Sequence, residues 1–453
     1  MTDSMADRQA TAIGPAGTAE RPLGQLGSAR AEASGRGRVS LFARLGAEIR
    51  FAPVERKFLY VLLLLFLAKG IVYTLVFPAF SGHDEVAHYT YIRFVAEEGR
   101  VPIMPDLGEW QARTARDEPT GEDRLPNELY KYCQYFTSDW WRGCSESQWL
   151  RNPPRVVSLG TDLYPSGWVY TANHPPFYYL LMTPLYWLSS GQTPEVQLYL
   201  FRLIAIPFGL LTVVFAYLTT RTLFPGDQFL ATTVPAFVAF QPQIAYEAAM
   251  LNNDILAIAF TSWVLYLVAR GLRDRFPLRT CVLLGFVLGL AVLTKGTSVT
   301  AAPIIAFALF FGLGWRNVRQ WLPRGALITA ITLVMIWPWY LFLYAEYGDL
   351  SGLTRVKELQ WWNYTYSDPP TVLGQLFDGG FAWLRWRETW GEFGWRLIPL
   401  TPGLLLVLLG LCIFAVVGLA IYAVRVMRIR RAARTAAAES DPEVSVVAGD
   451  PVL

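Results

Sequence analysis

Apolar residues run through this chain in long blocks, without the alternation expected of strands. Eight blocks predict membrane-crossing helices: Phe58–Phe77, Tyr199–Thr219, Phe229–Tyr246, Ile255–Ala269, Thr280–Leu293, Ser298–Leu313, Ala326–Tyr344 and Pro402–Val424. Roughly 20 residues of helix span a bilayer, so these blocks, not one packed core, set the architecture. A further apolar piece, Phe177–Leu188, is too short to cross and contains Pro184. Its Tyr and Trp residues suit the headgroup level, so it is expected to lie as a helix in the outer interface.

Charge then orients the blocks. Arg44, Arg50, Arg56 and Lys57 precede the first, and Arg221 closes the second. Arg270, Arg273, Arg275 and Arg279 follow the fourth, and Arg316, Arg319 and Arg324 follow the sixth. Arg425, Arg428, Arg430, Arg431 and Arg434 follow the last. All fall on one face if both termini are cytoplasmic, as the positive-inside rule requires. Counting Phe177–Leu188 as a ninth span would move the later clusters outside. Two long loops, about 81–198 and 346–401, are then extracytoplasmic. The expected organisation is a cytoplasmic segment 1–57, a transmembrane domain 58–424 and a cytoplasmic tail 425–453. The first forty residues, rich in Ala, Gly, Arg and Ser, have too little apolar content to fold. No apolar region there precedes a small-residue cleavage site, so the first block is expected to act as an uncleaved anchor.

Composition narrows the class. The chain is 53% hydrophobic and only 17% charged, against about 25% charged in soluble domains. The predicted fold class is an all-α polytopic membrane protein of about eight transmembrane helices. Its large first extracytoplasmic loop would bear juxtamembrane helices. No Gly-rich phosphate loop opens a helix, so no soluble nucleotide site is expected, and no nucleic-acid partner. Of the four cysteines, Cys281 and Cys412 lie in apolar blocks and are expected to pack. Cys133 and Cys144 share the first outer loop, where a disulfide and two free thiols are equally open readings.

All three histidines fall in two short outer segments. One is Ser81-Gly82-His83-Asp84-Glu85-Val86-Ala87-His88-Tyr89, and the other Asn173-His174-Pro175-Pro176-Phe177-Tyr178-Tyr179. A helix starting near Gly82 would place Asp84 and His88 on one face. Adjacent carboxylates at a membrane surface are costly to desolvate and are rarely idle. A second polar set lies at block ends. Asn252, Asn253 and Asp254 open the fourth block, and Asn253 and Asp254 can cap it or line a site. Lys295 follows the fifth block and can snorkel or hold a lipid phosphate; Lys69 is a weaker candidate of that type. The last outer loop offers Trp361, Trp362, Arg385, Trp386, Arg387, Trp390 and Trp395, residues suited to sugar faces and phosphate.

The acidic pair after the first block resembles the Asp-Glu motif of C-type glycosyltransferases, notably protein O-mannosyltransferases and aminoarabinose-lipid A transferases. Four further elements carry the resemblance. They are His174-Pro175-Pro176-Phe177-Tyr178-Tyr179, Arg202 with Gly209–Val213 and Arg221–Pro225, Asn252-Asn253-Asp254, and Gly289-Leu290-Ala291 with Thr294-Lys295-Gly296. The string from Trp390 to Trp395 is similar to less-studied bacterial members. The resemblance implies a hexosyl- or pentosyltransferase in a bacterial cytoplasmic membrane. It would take a polyprenyl-phosphate sugar, on the extracytoplasmic side, to a glycan, lipid or protein acceptor. It maps the catalytic base to Asp84, with Glu85 beside it. His83, His88, Asn173, His174, Asn252, Asn253, Asp254, Lys295, Arg387 and Trp390 would contact substrate. No cofactor is required, although a divalent metal is compatible with the carboxylates. About eight spans are expected here against the family pattern of eleven or more, without the large C-terminal soluble domain that some members have. A metal-dependent hydrolase using Asp84, His88 and His174, and a non-catalytic transporter of lipid-linked glycans, are the competing readings.

Overall fold

The computed structural model describes residues 53–106, 108, 128–129, 132, 158–159, 162–163, 171–360, 381–394 and 398–440. Cys133, Cys144, Trp361, Trp362 and Trp395 lie outside the described residues. The chain divides into two units, Met1–Lys57 and Phe58–Leu453, and every candidate site residue lies in the second.

The described residues are overwhelmingly helical, with two short antiparallel ladders, β1–β2 (Ser158–Leu159, Asp162–Leu163) and β3–β4 (Glu392–Phe393, Ile398–Pro399). Five helices are long and apolar enough to cross a membrane: α1 (Val54–Val76), α4 (Pro194–Leu223), α7 (Asp254–Asp274), α10 (Val318–Tyr347) and α13 (Pro402–Ser440). The other apolar blocks become shorter helices, α5 (Gln228–Phe240), α8 (Leu278–Thr294) and α9 (Ala301–Gly312). The expected all-α polytopic membrane protein is therefore what folds. The short apolar piece forms α3 (Phe177–Leu188), with Pro184 inside it. The remaining helices are α2 (Glu85–Glu98), α6 (Pro242–Ala248), α11 (Leu353–Gln360) and α12 (Phe381–Trp390).

Two blocks differ from expectation. The third does not run to Tyr246 but breaks after Phe240. Pro242 has no N–H to continue the ladder, and the Gln241 side chain caps α6 by accepting the Ile244 N–H at 2.6 Å. The sixth opens with a 3-10 turn, Gly296–Thr300.

Helices approach closely at small residues, as apolar surroundings favour. A Cβ on Gly209 of α4 would stand 2.7 Å from the Ala248 Cβ of α6 and from the Phe66 ring of α1. In α8, a Cβ on Gly285 would meet the Ile328 carbonyl of α10 at 2.8 Å. There the Thr332 hydroxyl donates to the Gly285 carbonyl at 3.0 Å. One apolar core joins α2, α3 and the start of α4, another α7 to α10, and a third α1, α4, α5 and α6. The C-terminal ends of α1, α8 and α10 and the N-terminal end of α7 meet at one end of this assembly, where the polar residues collect.

Candidate functional site

The two acids of the Asp-Glu pair have different fates. Glu85 is fully buried, as is Arg202 of α4, and the guanidinium grips the carboxylate through Nε (2.7 Å) and Nη2 (2.6 Å). The carboxylate also accepts the N–H groups of Gly82 (2.9 Å) and Leu251 (3.0 Å). Arg202 spends its remaining N–H groups on the carbonyls of Thr74 (3.2 Å), Phe77 (2.8 Å) and Pro78 (2.9 Å), just at and past the end of α1. All five guanidinium donors are thereby used. One ion pair ties together α1, the loop that follows it, α4 and the turn before α7. Glu85 is closed off from solvent, and its carboxylate holds the loop in place.

Asp84 is half-buried and sits at the N-cap of α2 in the left-handed region, at φ 57°. Asp is one of the few non-Gly residues that tolerate this conformation. The helix starts at Glu85, three residues later than the expected start near Gly82. Asp84 therefore meets His88 through the backbone, its carbonyl accepting the His88 N–H at 2.9 Å, instead of sharing a helix face with it. The negative charge of Asp84 bears on Tyr179, Glu247 and Lys295.

The carboxylate of Asp254 holds the Lys295 ammonium at 2.6 Å, joining the start of α7 to the end of α8. Burial pushes the Lys295 ammonium down, but Asp254, Glu247 and Asp84 outweigh it and hold the group above its ordinary range. Glu247, on α6, accepts a hydrogen bond from Gln243 Nε2 at 2.6 Å. Burial and then the Asp254 charge push its carboxyl up to about 8.

His88 and His174 form the opposite wall. The Tyr179 hydroxyl lies 3.0 Å from His88 Nδ1 and 3.1 Å from His174 Nδ1. The Tyr179 ring stacks on Tyr91 at 3.7 Å between centroids. Burial, then the charge of Lys295, lowers His174 to about 4. His88 falls well below its ordinary range through burial, then His174 and Lys295. Both shifts favour the neutral imidazole. His83 is half-buried, its ring edge-on to Tyr246 at 6.0 Å.

The other expected contacts divide. Asn252 caps α7, its Oδ1 accepting the Ile255 N–H at 3.1 Å while its Nδ2 donates to the Glu247 carbonyl at 3.2 Å. Asn253 occupies the N-cap position without a side-chain cap bond, and Asn252 supplies that bond instead. Asn253 is fully buried and donates to the Thr294 carbonyl at 3.0 Å, stitching α7 to α8 beside Lys295. Asn173 reaches away, donating to the Ser351 carbonyl at 2.9 Å. Arg387 is taken up by Glu392, and Trp390 is buried against Phe237 and Trp386. Among the described residues neither shares a hydrogen bond or ion pair with Asp254 or Lys295. Their segment docks on α6, where the Gly394 N–H donates to the Tyr246 hydroxyl at 3.0 Å. Lys69 donates to the Ala239 carbonyl at 2.8 Å, within the helices and away from the cluster.

Glu247 and Tyr179 are absent from the residues expected to act. The Gln-Pro break before α6 was the available signal for Glu247, and the His-Pro-Pro string two residues upstream was the signal for the tyrosine pair. Among the described residues, no group of three or more His, Cys, Asp or Glu side chains is arranged to hold a metal ion.

No curated protein and no solved structure matches the chain. A family model does match, that of the dolichyl-phosphate-mannose-protein mannosyltransferases, over residues 173–341. This stretch contains His174, Tyr179, Arg202, Glu247, Asp254 and Lys295. Over it the chain is similar to that family of C-type enzymes, and the match supports the broad activity of a membrane glycosyltransferase.

Proposed function

We propose that this protein transfers a sugar from a polyprenyl-phosphate donor to an acceptor hydroxyl on the extracytoplasmic side of a bacterial cytoplasmic membrane. The observation that carries the proposal is the gathering of Asp84, Glu247, Asp254, Lys295, His88 and His174 at one end of apolar helices. A donor anchored by a lipid tail would present its phosphate and sugar at that level. The arginines at 270, 273 and 275 sit at the other end of α7 from Asp254. A helix of 21 residues is about 30 Å long, so cytoplasmic arginines favour an outward-facing cluster.

The chemistry needs one base and one cation. Asp84 accepts the proton of the acceptor hydroxyl. The hydroxyl oxygen attacks the anomeric carbon, and the bond to the phosphate oxygen breaks with its electron pair leaving on the phosphate. Lys295, held in place by Asp254, stabilises that charge. Glu247 carries a proton at neutral pH and so can donate to a phosphate or sugar oxygen. With Glu85 locked on Arg202, one carboxylate acts from the acceptor side, which favours single displacement with inversion.

The test presents purified full-length protein with a panel of polyprenyl-phosphate sugars and a membrane extract as acceptor source. Transfer of labelled sugar out of the donor lipid is expected for at least one donor. No transfer with any donor overturns the proposal.

A further inference from the structure

Two imidazoles share one hydroxyl in the histidine wall, and the hydrogen count of that arrangement leaves a single pattern. Tyr179 is fully buried, and its O–H lies within hydrogen-bond distance of Nδ1 on both His88 and His174. A phenol has one hydrogen to donate and oxygen lone pairs to accept with. If both Nδ1 atoms carried lone pairs, one would face the oxygen with no hydrogen between them. If both carried hydrogens, the phenol hydrogen would have no acceptor, because Tyr179 Oη has no other partner among the described residues. Only one arrangement satisfies every buried atom, as buried polar groups require. One histidine donates from Nδ1 to the oxygen, and the hydroxyl donates to Nδ1 of the other.

The consequence lies at the far nitrogens. A neutral imidazole carries one hydrogen, so opposite states at Nδ1 force opposite states at Nε2. Neither Nε2 has a hydrogen-bond partner among the described residues. The two rings lie 6.0 Å apart, inside the electrostatic reach of Lys295.

We propose that Tyr179 is a positioning residue that locks His88 and His174 in opposite tautomers, so that together they offer a sugar one fixed N–H donor and one fixed lone pair. A pair of complementary polarity reads neighbouring hydroxyls, each of which both donates and accepts. This assignment rests on the glycosyltransferase reading for its ligand, but not for its tautomers. Rigidity supports the role: the Tyr179 ring is clamped by Tyr91 at 3.7 Å, and the Tyr91 hydroxyl donates to the His174 carbonyl at 3.3 Å. Neither ring can easily turn to an alternative contact.

The chain has three histidines, which makes the test direct. The full-length protein, labelled with 15N-histidine and placed in lipid nanodiscs, is studied by long-range 1H–15N correlation, with His88→Gln and His174→Gln assigning the signals. The expected spectrum at neutral pH shows His88 and His174 each in a single neutral tautomer, and the two opposite. Tyr179→Phe is expected to let both rings average between tautomers. It should also raise the donor KM about tenfold, the loss expected for one or two hydrogen bonds, with a smaller change in kcat. The same tautomer on both rings, or a protonated ring, in the wild-type protein overturns the inference. Unchanged tautomers in Tyr179→Phe overturn it as well. Opposite tautomers in a protein that consumes no polyprenyl-phosphate donor would uphold the lock and overturn the proposed activity alone.

Discussion

Arg202 and Glu85, 117 positions apart, meet as an ion pair with neither side chain exposed. A pair of this kind carries a large desolvation cost, which its geometry offsets only because every lone pair and N–H around it is satisfied. Removing one partner leaves a buried charge. Arg202→Met is therefore expected to destabilise the protein by about 3–5 kcal/mol. Thermal unfolding in nanodiscs measures this, and an unfolding temperature equal to wild type would contradict the role given to the pair.

The same pair constrains its neighbour Gly82. A Cβ there would stand 2.6 Å from Glu85 Cδ and 2.8 Å from Met250 Sδ. Gly82→Ala is expected to cost about 1–3 kcal/mol through overpacking, read as a lowered unfolding temperature. It should also reduce transfer, since Asp84 is held by this loop. A variant as stable and as active as wild type would show that the loop has slack the geometry does not reveal.

Glu247 gives the fold a pH signature. Its carboxyl is held up to about 8 in the folded chain, above the ordinary value of 4.5. The folded state therefore binds the proton more tightly than the unfolded one. The resulting contribution to stability is full below pH 4.5 and fades as pH rises through about 8. Unfolding temperatures of wild type and Glu247→Gln, compared across this range, should show wild type losing ground to the variant as pH rises. A difference that stays flat with pH would refute the shifted carboxyl.

Lys295 tests the leaving-group side. Lys295→Met removes the cation and strands Asp254. Charge-assisted bonds contribute about 1.5–3 kcal/mol, so the donor KM should rise by roughly ten- to a hundredfold. Lys295→Arg should recover part of that loss. If KM for the donor is unmoved by Lys295→Met, the ammonium does not hold the phosphate.

Much of this architecture can be read from residue order. Block length and the basic clusters anticipate the apolar helices, and Phe177–Leu188 forms a helix with those bounds. Such features depend on local composition and so are visible locally. What escapes is set by distant partners. Nothing around Glu85 announces that Arg202 will neutralise it, so the two acids of one motif look alike until the fold separates them. Glu247 looks like a surface acid because the break at Gln241-Pro242, which turns α6 toward Asp254, reads as a continuous apolar block. Asn252, Asn253 and Asp254 are all good capping residues by type. Only the position of Thr294 and Lys295 at the end of α8 decides which one caps and which ones bridge. Arg387 and Trp390 have the composition of a sugar site, but the ladder β3–β4 gives the arginine its own partner in Glu392.

The central claim is that Asp84 accepts the proton from the acceptor. Asn is the fitting replacement, because it also tolerates the left-handed backbone at φ 57° and removes only the charge. With a donor that wild type consumes, single-turnover transfer and donor binding should be measured side by side for wild type and Asp84→Asn. The account predicts that transfer falls by about 10²–10⁴-fold while the donor still binds with near wild-type affinity. Transfer by Asp84→Asn at the wild-type rate would contradict it.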